Sequence, residues 1–342
     1  MNVSQLNTQP IYYRLIALWV VCESMIGGII HGFKLPFSGL IVGSAASVCI
    51  CLIGRYVPVR GAILKATIIV AVFKLMLSPQ APPTAYIAVF FQGMIGQLIF
   101  SRFKNFRGAC ILLSVAALFE SAVQRLLVLW IIYGNSFVKA FNDFLNKITG
   151  QKIITNYTLL LAVMYILFHI IFGFFTGSFV ADLVEKSSTW KLKYSEELNL
   201  QSDAIGAQTK KNKTGSLKVV VMVIWFLLLL MFAYSLLYPS NSILPENAAF
   251  QIFIRSILII CGWYFFISPL LLKIIRKKLE SYQSKRGKDV QMVMSLLPLT
   301  RNIVANCWKH SSDRKGLRRI KVWAKLVYIQ IITPAENATP VS

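Results

Sequence analysis

From Leu217 to Leu237 the chain is apolar on nearly every face, and seven other apolar blocks of comparable length lie along the sequence. A helix rising 1.5 Å per residue needs about 20 residues to cross a hydrocarbon core of about 30 Å. Barrel strands would instead show segments of about ten residues in strict alternation. The blocks therefore predict an all-α integral membrane protein with about eight transmembrane helices, over 11–31, 37–54, 61–78, 84–101, 107–134, 157–184, 217–238 and 250–275. With 56% hydrophobic and only 14% charged residues, the composition excludes an ordinary soluble domain.

The formal charge of +23 would point to nucleic acid in a soluble protein. Here its distribution argues for membrane topology and against a nucleic-acid partner. Arg55 and Arg60 flank the second join, Arg102, Lys104 and Arg107 fill the fourth, and seven lysines from Lys186 to Lys218 lie in the sixth. Joins rich in Lys and Arg face the cytoplasm. The expectation is a bacterial inner-membrane, multi-pass protein lying in the lipid bilayer with both termini cytoplasmic.

A polar stretch rich in Lys, Ser, Asn and Gln separates two parts. Residues 1–186 are predicted to form a six-span bundle, 187–216 a cytoplasmic linker, 217–275 two further spans, and 276–342 a basic cytoplasmic tail. In that tail Ile320, Trp323, Val327 and Ile331 recur at helical spacing among Arg318, Arg319, Lys321 and Lys325. Such a helix suits a membrane surface or a partner protein.

Small residues at four-residue spacing, in Gly39, Gly43 and Ser47 and again in Gly173, Gly177 and Ala181, allow close helix approach within lipid. Gly93 and Gly96 add a weaker signal of the same kind. The first reading is internal packing; a docking face for another subunit is the second. The six cysteines, Cys22, Cys49, Cys51, Cys110, Cys261 and Cys307, have no metal-type spacing and read as small apolar fillers. The first apolar block lacks a basic leader and a small-residue cleavage site, so it reads as a span and not a removed signal peptide.

Charges inside spans carry more information, because each costs at least a few kcal/mol and needs a partner or water. Glu23, Lys74, Gln92, Glu120 and Arg125 stand out, with His31 in the first outer join. Glu23 is the natural partner for Lys74 or Arg125. Such groups form buried ion pairs that fix helix register, or line a pocket for a small solute. His169 reads as a satisfied interior histidine, and Lys65, Asp182, Glu185 and Arg255 as residues near span ends that snorkel outward. No phosphate-binding loop, zinc-protease motif, nucleophile elbow or paired acidic motif is present, so neither an enzyme nor a cofactor is expected.

The run from Leu35 to Phe100 opens with Leu35-Pro36 and Gly39, begins its third span with Pro58, Arg60, Gly61 and Ala62, carries Lys74, and spaces Gly93 and Gly96 in the fourth. These features resemble the substrate-binding (S) components of energy-coupling factor transporters. The run Ser295 to Trp323 is similar to the cytoplasmic coupling helices of the family's transmembrane (T) component. It lacks their Ala-Arg-Gly motifs and offers Arg301 and the run Lys315 to Arg319 in their place; the AxxxA motif of the first S-component helix is also missing.

What the resemblance implies is a transporter subunit that binds a vitamin or cofactor precursor, with cytoplasmic ATP-binding-cassette ATPases and possibly a separate T component as partners. Solute contacts then fall to Glu23, His31, Lys74, Gln92, Glu120 and Arg125, and partner contacts to Arg301, Arg318 and Arg319. The alternative is a membrane scaffold that binds other membrane proteins and anionic lipid without transport.

Overall fold

The computed structural model describes residues 3–27, 37–78, 81, 83–149, 156–193, 258, 262, 269–270, 273–274 and 287–333. Among these residues all regular structure is helical. The predicted spans 217–238 and 250–275 lie outside the described residues apart from isolated positions, as do His31 and Arg255.

Helix α1 (Val3–Val20) runs on into a π-helical turn, Val21–Ile26. It is followed by α2 (Ser38–Tyr56), α3 (Ala62–Leu77), α4 (Pro83–Arg102), α5 (Phe106–Thr149), α6 (Tyr157–Glu185) and α7 (Ser187–Lys193). Then come α8 (Gly287–His310) and α9 (Gly316–Ile332).

Local sequence explains the boundaries. Val57 precedes Pro58, whose ring disfavours helical backbone at the residue before it, and α2 stops at Tyr56. Gly61 takes φ 83°, a left-handed conformation that favours glycine, and α3 starts directly after it. Proline opens α4, where its missing N–H removes nothing the first turn needs. The Asn105 side chain accepts from the Gly108 amide at 3.3 Å, and that of Asn156 from the Leu159 amide at 3.1 Å, capping α5 and α6.

Among the described residues four helices are long and apolar enough to cross a membrane: Ser38–Tyr56, Thr84–Arg102, Phe106–Asn135 and Tyr157–Glu185. The expected eight spans are therefore not all seen. The predicted third span is a helix of 16 residues, about 24 Å long. The predicted first span is divided between α1, which starts well before residue 11, and its π-helical turn. The predicted fifth span, 107–134, matches the apolar segment Phe106–Asn135: the chain kinks at Gly134 (φ 66°, ψ −175°) and continues helically to Thr149.

The described residues fall into two compact units. The first gathers residues 1–121, 169–206 and 278–342. Its innermost segment is the end of α1: Leu15, Ile16, Ala17, Trp19 and Val20 are all fully buried, so the helix is covered on every face from residue 15 to residue 20. It packs against α2, α3, α8 and α9, and most extensively against α8.

Within this unit the small residues of the sequence work as internal spacers. A Cβ on Gly177 would come within 2.5 Å of Ile111 Cα, and one on Gly173 within 2.8 Å of Val115 Cα, so α6 lies backbone to backbone on the start of α5. Similarly, Gly93 of α4 accommodates Thr67 of α3, and Gly39 of α2 accommodates Ser121 of α5. Arg107 at the start of α5 reaches Asp182 and, at 3.3 Å, Glu185 near the end of α6. These two carboxylates, expected to snorkel freely, thus hold helix ends together.

The second unit comprises 122–168 and 207–277. In it Asn142 Oδ1 accepts from both the amide and the hydroxyl of Thr158 at 2.8 Å, and Asn142 Nδ2 donates to Asn156. Leu127, Trp130, Ile131, Leu159 and Met164 expose most of their area beside these few polar links.

Candidate functional site

The basic tail departs furthest from expectation. Its apolar stripe was expected to meet a membrane surface or another protein, yet Val327 and Ile331 are buried within the first unit, together with Leu326, Tyr328 and Ile329. Amphipathic periodicity specifies that a face will be covered without specifying by what, and here much of the cover is the chain's own helical bundle.

Asp289 on α8 accepts from Lys65 Nζ at 2.9 Å and from the Tyr13 hydroxyl at 2.5 Å. The hydroxyls of Tyr56 and Tyr328 meet at 2.5 Å, and Arg14 donates to the Thr333 carbonyl at 2.9 Å. Lys65, expected to snorkel outward, is therefore half of a clamp between α3 and the tail. Burial, aided by the Tyr56 contact, pushes the Tyr328 phenol well above its ordinary range. Burial pushes the Cys307 thiol up to about 12; its sulfur lies 3.3 Å from Gln330 Oε1 across the α8–α9 hairpin.

At its far end, α1 carries Glu23 inside the π-helical turn. Glu23 Oε2 accepts from Lys74 Nζ at 2.6 Å, and both side chains are 2% exposed. Of the two cations offered to Glu23 by the sequence, the fold places Lys74 against it. Lys74 also approaches the Ala85 carbonyl at 3.5 Å, and the Ser78 hydroxyl donates to the Ser24 carbonyl at 2.6 Å. A π-turn shifts side-chain register relative to the flanking α-helix, and no signal in the sequence marks this one.

Other buried polar atoms lie on α4 and α5. Gln92 is 3% exposed, and its Oε1 makes no hydrogen bond among the described residues. Gln97 Oε1, Ser114 Oγ and Glu120 Oε2 are likewise buried and unsatisfied. Gly43 of α2 brings these helices together: a Cβ there would lie 3.6 Å from Gln92 Nε2 and 3.0 Å from Leu118. Sequence inspection missed Gln97 and Ser114, whose neutral side chains raise no alarm in an apolar block. Arg125 falls in the second unit, and His169 is fully buried.

The three residues expected to contact a partner behave differently. Arg301 and Arg318 are exposed. The guanidinium of Arg319 stacks on Trp308, 4.1 Å from the ring centroid, and donates to the Trp308 carbonyl at 3.0 Å, so it is committed within the hairpin. No group of His, Cys, Asp and Glu among the described residues could hold a metal ion. No protein-family model, curated protein or solved structure matches the chain.

Proposed function

We propose that the chain is the solute-binding subunit of a membrane transporter, with a site on α4 and α5 and its basic end in the cytoplasm. The supporting observation is Gln92, whose Oε1 is buried and unpaired inside an apolar helix. Leaving such an atom unsatisfied costs on the order of 1–3 kcal/mol, which a polar ligand would recover. Gln92 Oε1, Gln97 Oε1 and Glu120 Oε2 are acceptors in the oxygen chemistry of amides and carboxylates. The solute that suits them is small and rich in hydrogen-bond donors.

On this reading Glu23 and Lys74 neutralise each other and fix the helices around the site; they are not its contacts. Arg301 remains available to cytoplasmic ATPases, which would drive alternating exposure through a difference in solute affinity between two states. The energy-coupling factor resemblance is part of this proposal and rests on the motifs of residues 35–100. A scaffold lacking a solute retains the tail and the lipid as binding partners, but Gly39, Gly43, Gly173 and Gly177 are already engaged within the first unit.

The test is retention of small molecules by the purified chain, measured by mass spectrometry after mild detergent extraction. Gln92→Leu and Glu120→Gln are expected to release the solute while the protein remains folded. Equal retention by both variants, or no retained solute in the parent chain, would remove the transport reading.

A further inference from the structure

Helix α9 changes character at its middle. Its second half, from Leu326 to Ile332, is buried apart from Gln330, whereas from Gly316 to Lys321 every residue but Arg319 is exposed. Leu317 is 74% exposed and Ile320 48%, three residues apart and so on one helical face. Around them Lys315, Arg318 and Lys321 are exposed, with Lys309 just across the turn. Asp313 is the only acidic residue between Asp289 and Glu336. An apolar pair within a field of cations with one counter-charge is the arrangement that binds an anionic, partly apolar surface.

Two contacts set the height of this helix relative to the spans. Tyr328 meets Tyr56, the last residue of α2. Lys325 Nζ lies 3.4 Å from the ring centroid of Trp190, five residues beyond the end of α6. The rear of α9 is therefore level with the ends of two membrane-crossing helices. Leu317 is eight residues ahead of Lys325, about 12 Å along the axis.

We infer that the first turns of α9 dock on anionic lipid headgroups at the basic end of the bundle. Leu317 and Ile320 enter the interface, and Arg318 and Lys321 pair with phosphates. Lipid fits better than a soluble acidic protein because the rear of this helix packs at the ends of helices long and apolar enough to cross a bilayer. The contact does not depend on what the chain transports.

The full chain carrying Cys261→Ser and Leu317→Cys is labelled at position 317 with an environment-sensitive fluorophore and placed in nanodiscs. The cysteines at 22, 49, 51, 110 and 307 are buried and are expected to react little. In discs containing phosphatidylglycerol, the emission should shift to the blue and be quenched by spin-labelled acyl chains. Both effects should be much smaller in pure phosphatidylcholine. Arg318→Glu with Lys321→Glu, both exposed substitutions, should remove most of the shift. An equal shift in the two lipids, no shift in either, or a shift appearing only when an acidic soluble protein is added would overturn the inference.

Discussion

Two ion pairs connect to the same two helices, and they differ in what surrounds them. Glu23 and Lys74 join α1 to α3 with both side chains 2% exposed. Lys65 and Asp289 join α3 to the tail, with Tyr13 of α1 as a third member, at 27% and 14% exposure. The distances are similar, 2.6 and 2.9 Å. In the first pair no solvent is at hand to replace a lost partner; in the second, water can. Burial, more than distance, thus makes one pair a fixed point and the other adjustable.

The largest expected effect comes from breaking the buried pair. Lys74→Ala should cost about 3–5 kcal/mol by stranding the Glu23 carboxylate, seen as a large drop in the thermal transition in detergent. Replacing both members, Glu23→Leu with Lys74→Met, should restore stability to near or above the parent value. A single substitution as stable as the parent would collapse the comparison.

Next comes a packing control with no charge. Gly177→Leu places a side chain where the Ile111 backbone cannot yield, and should cost about 1–3 kcal/mol by the same measurement. A smaller effect is expected at the clamp. Asp289→Asn should weaken tail docking by about 0.5–1 kcal/mol. That corresponds to a rise of roughly two- to fivefold in the rate of Cys307 modification by a thiol reagent, if modification proceeds through the undocked state. The overall thermal transition should move little.

The mildest test is pH. Burial raises the Cys307 pKa from 9.0 to about 12, so the docked tail holds this proton more tightly than the released tail. The contribution to docking is complete below about pH 9 and declines as pH rises toward 12, because the released form ionises first. Hydrogen exchange of α9 should accelerate over that window beyond the intrinsic pH dependence, and less so in Cys307→Ala.

Sequence pattern made α2, α4, α5 and α6 legible because each carries an apolar block of crossing length, and charge marked Glu23 and Lys74 as needing partners. It could not choose Lys74 over Arg125. That choice depends on a π-turn that rotates Glu23, and on Tyr12 donating to the Ala62 carbonyl to set α1 against α3. In the α8–α9 hairpin the amphipathic stripe of α9 was visible. Its destination was not, since Ile331 reads the same whether lipid or Tyr328 and its neighbours cover it. Gln97 and Ser114 were invisible because only placement leaves their oxygens without donors.

The close packing of α1 with α8 also bears on the order of synthesis. Val20 leaves the ribosome long before Gly287 is made. At about 5–20 residues per second, tens of seconds separate the innermost helix from the segment that completes its packing. Nascent chains must therefore keep α1 shielded by lipid, a translocon or a chaperone until translation is nearly over. A ribosome that stalls before α8 would release a product whose first helix lacks its main neighbour, making the C-terminal region a natural checkpoint for quality control.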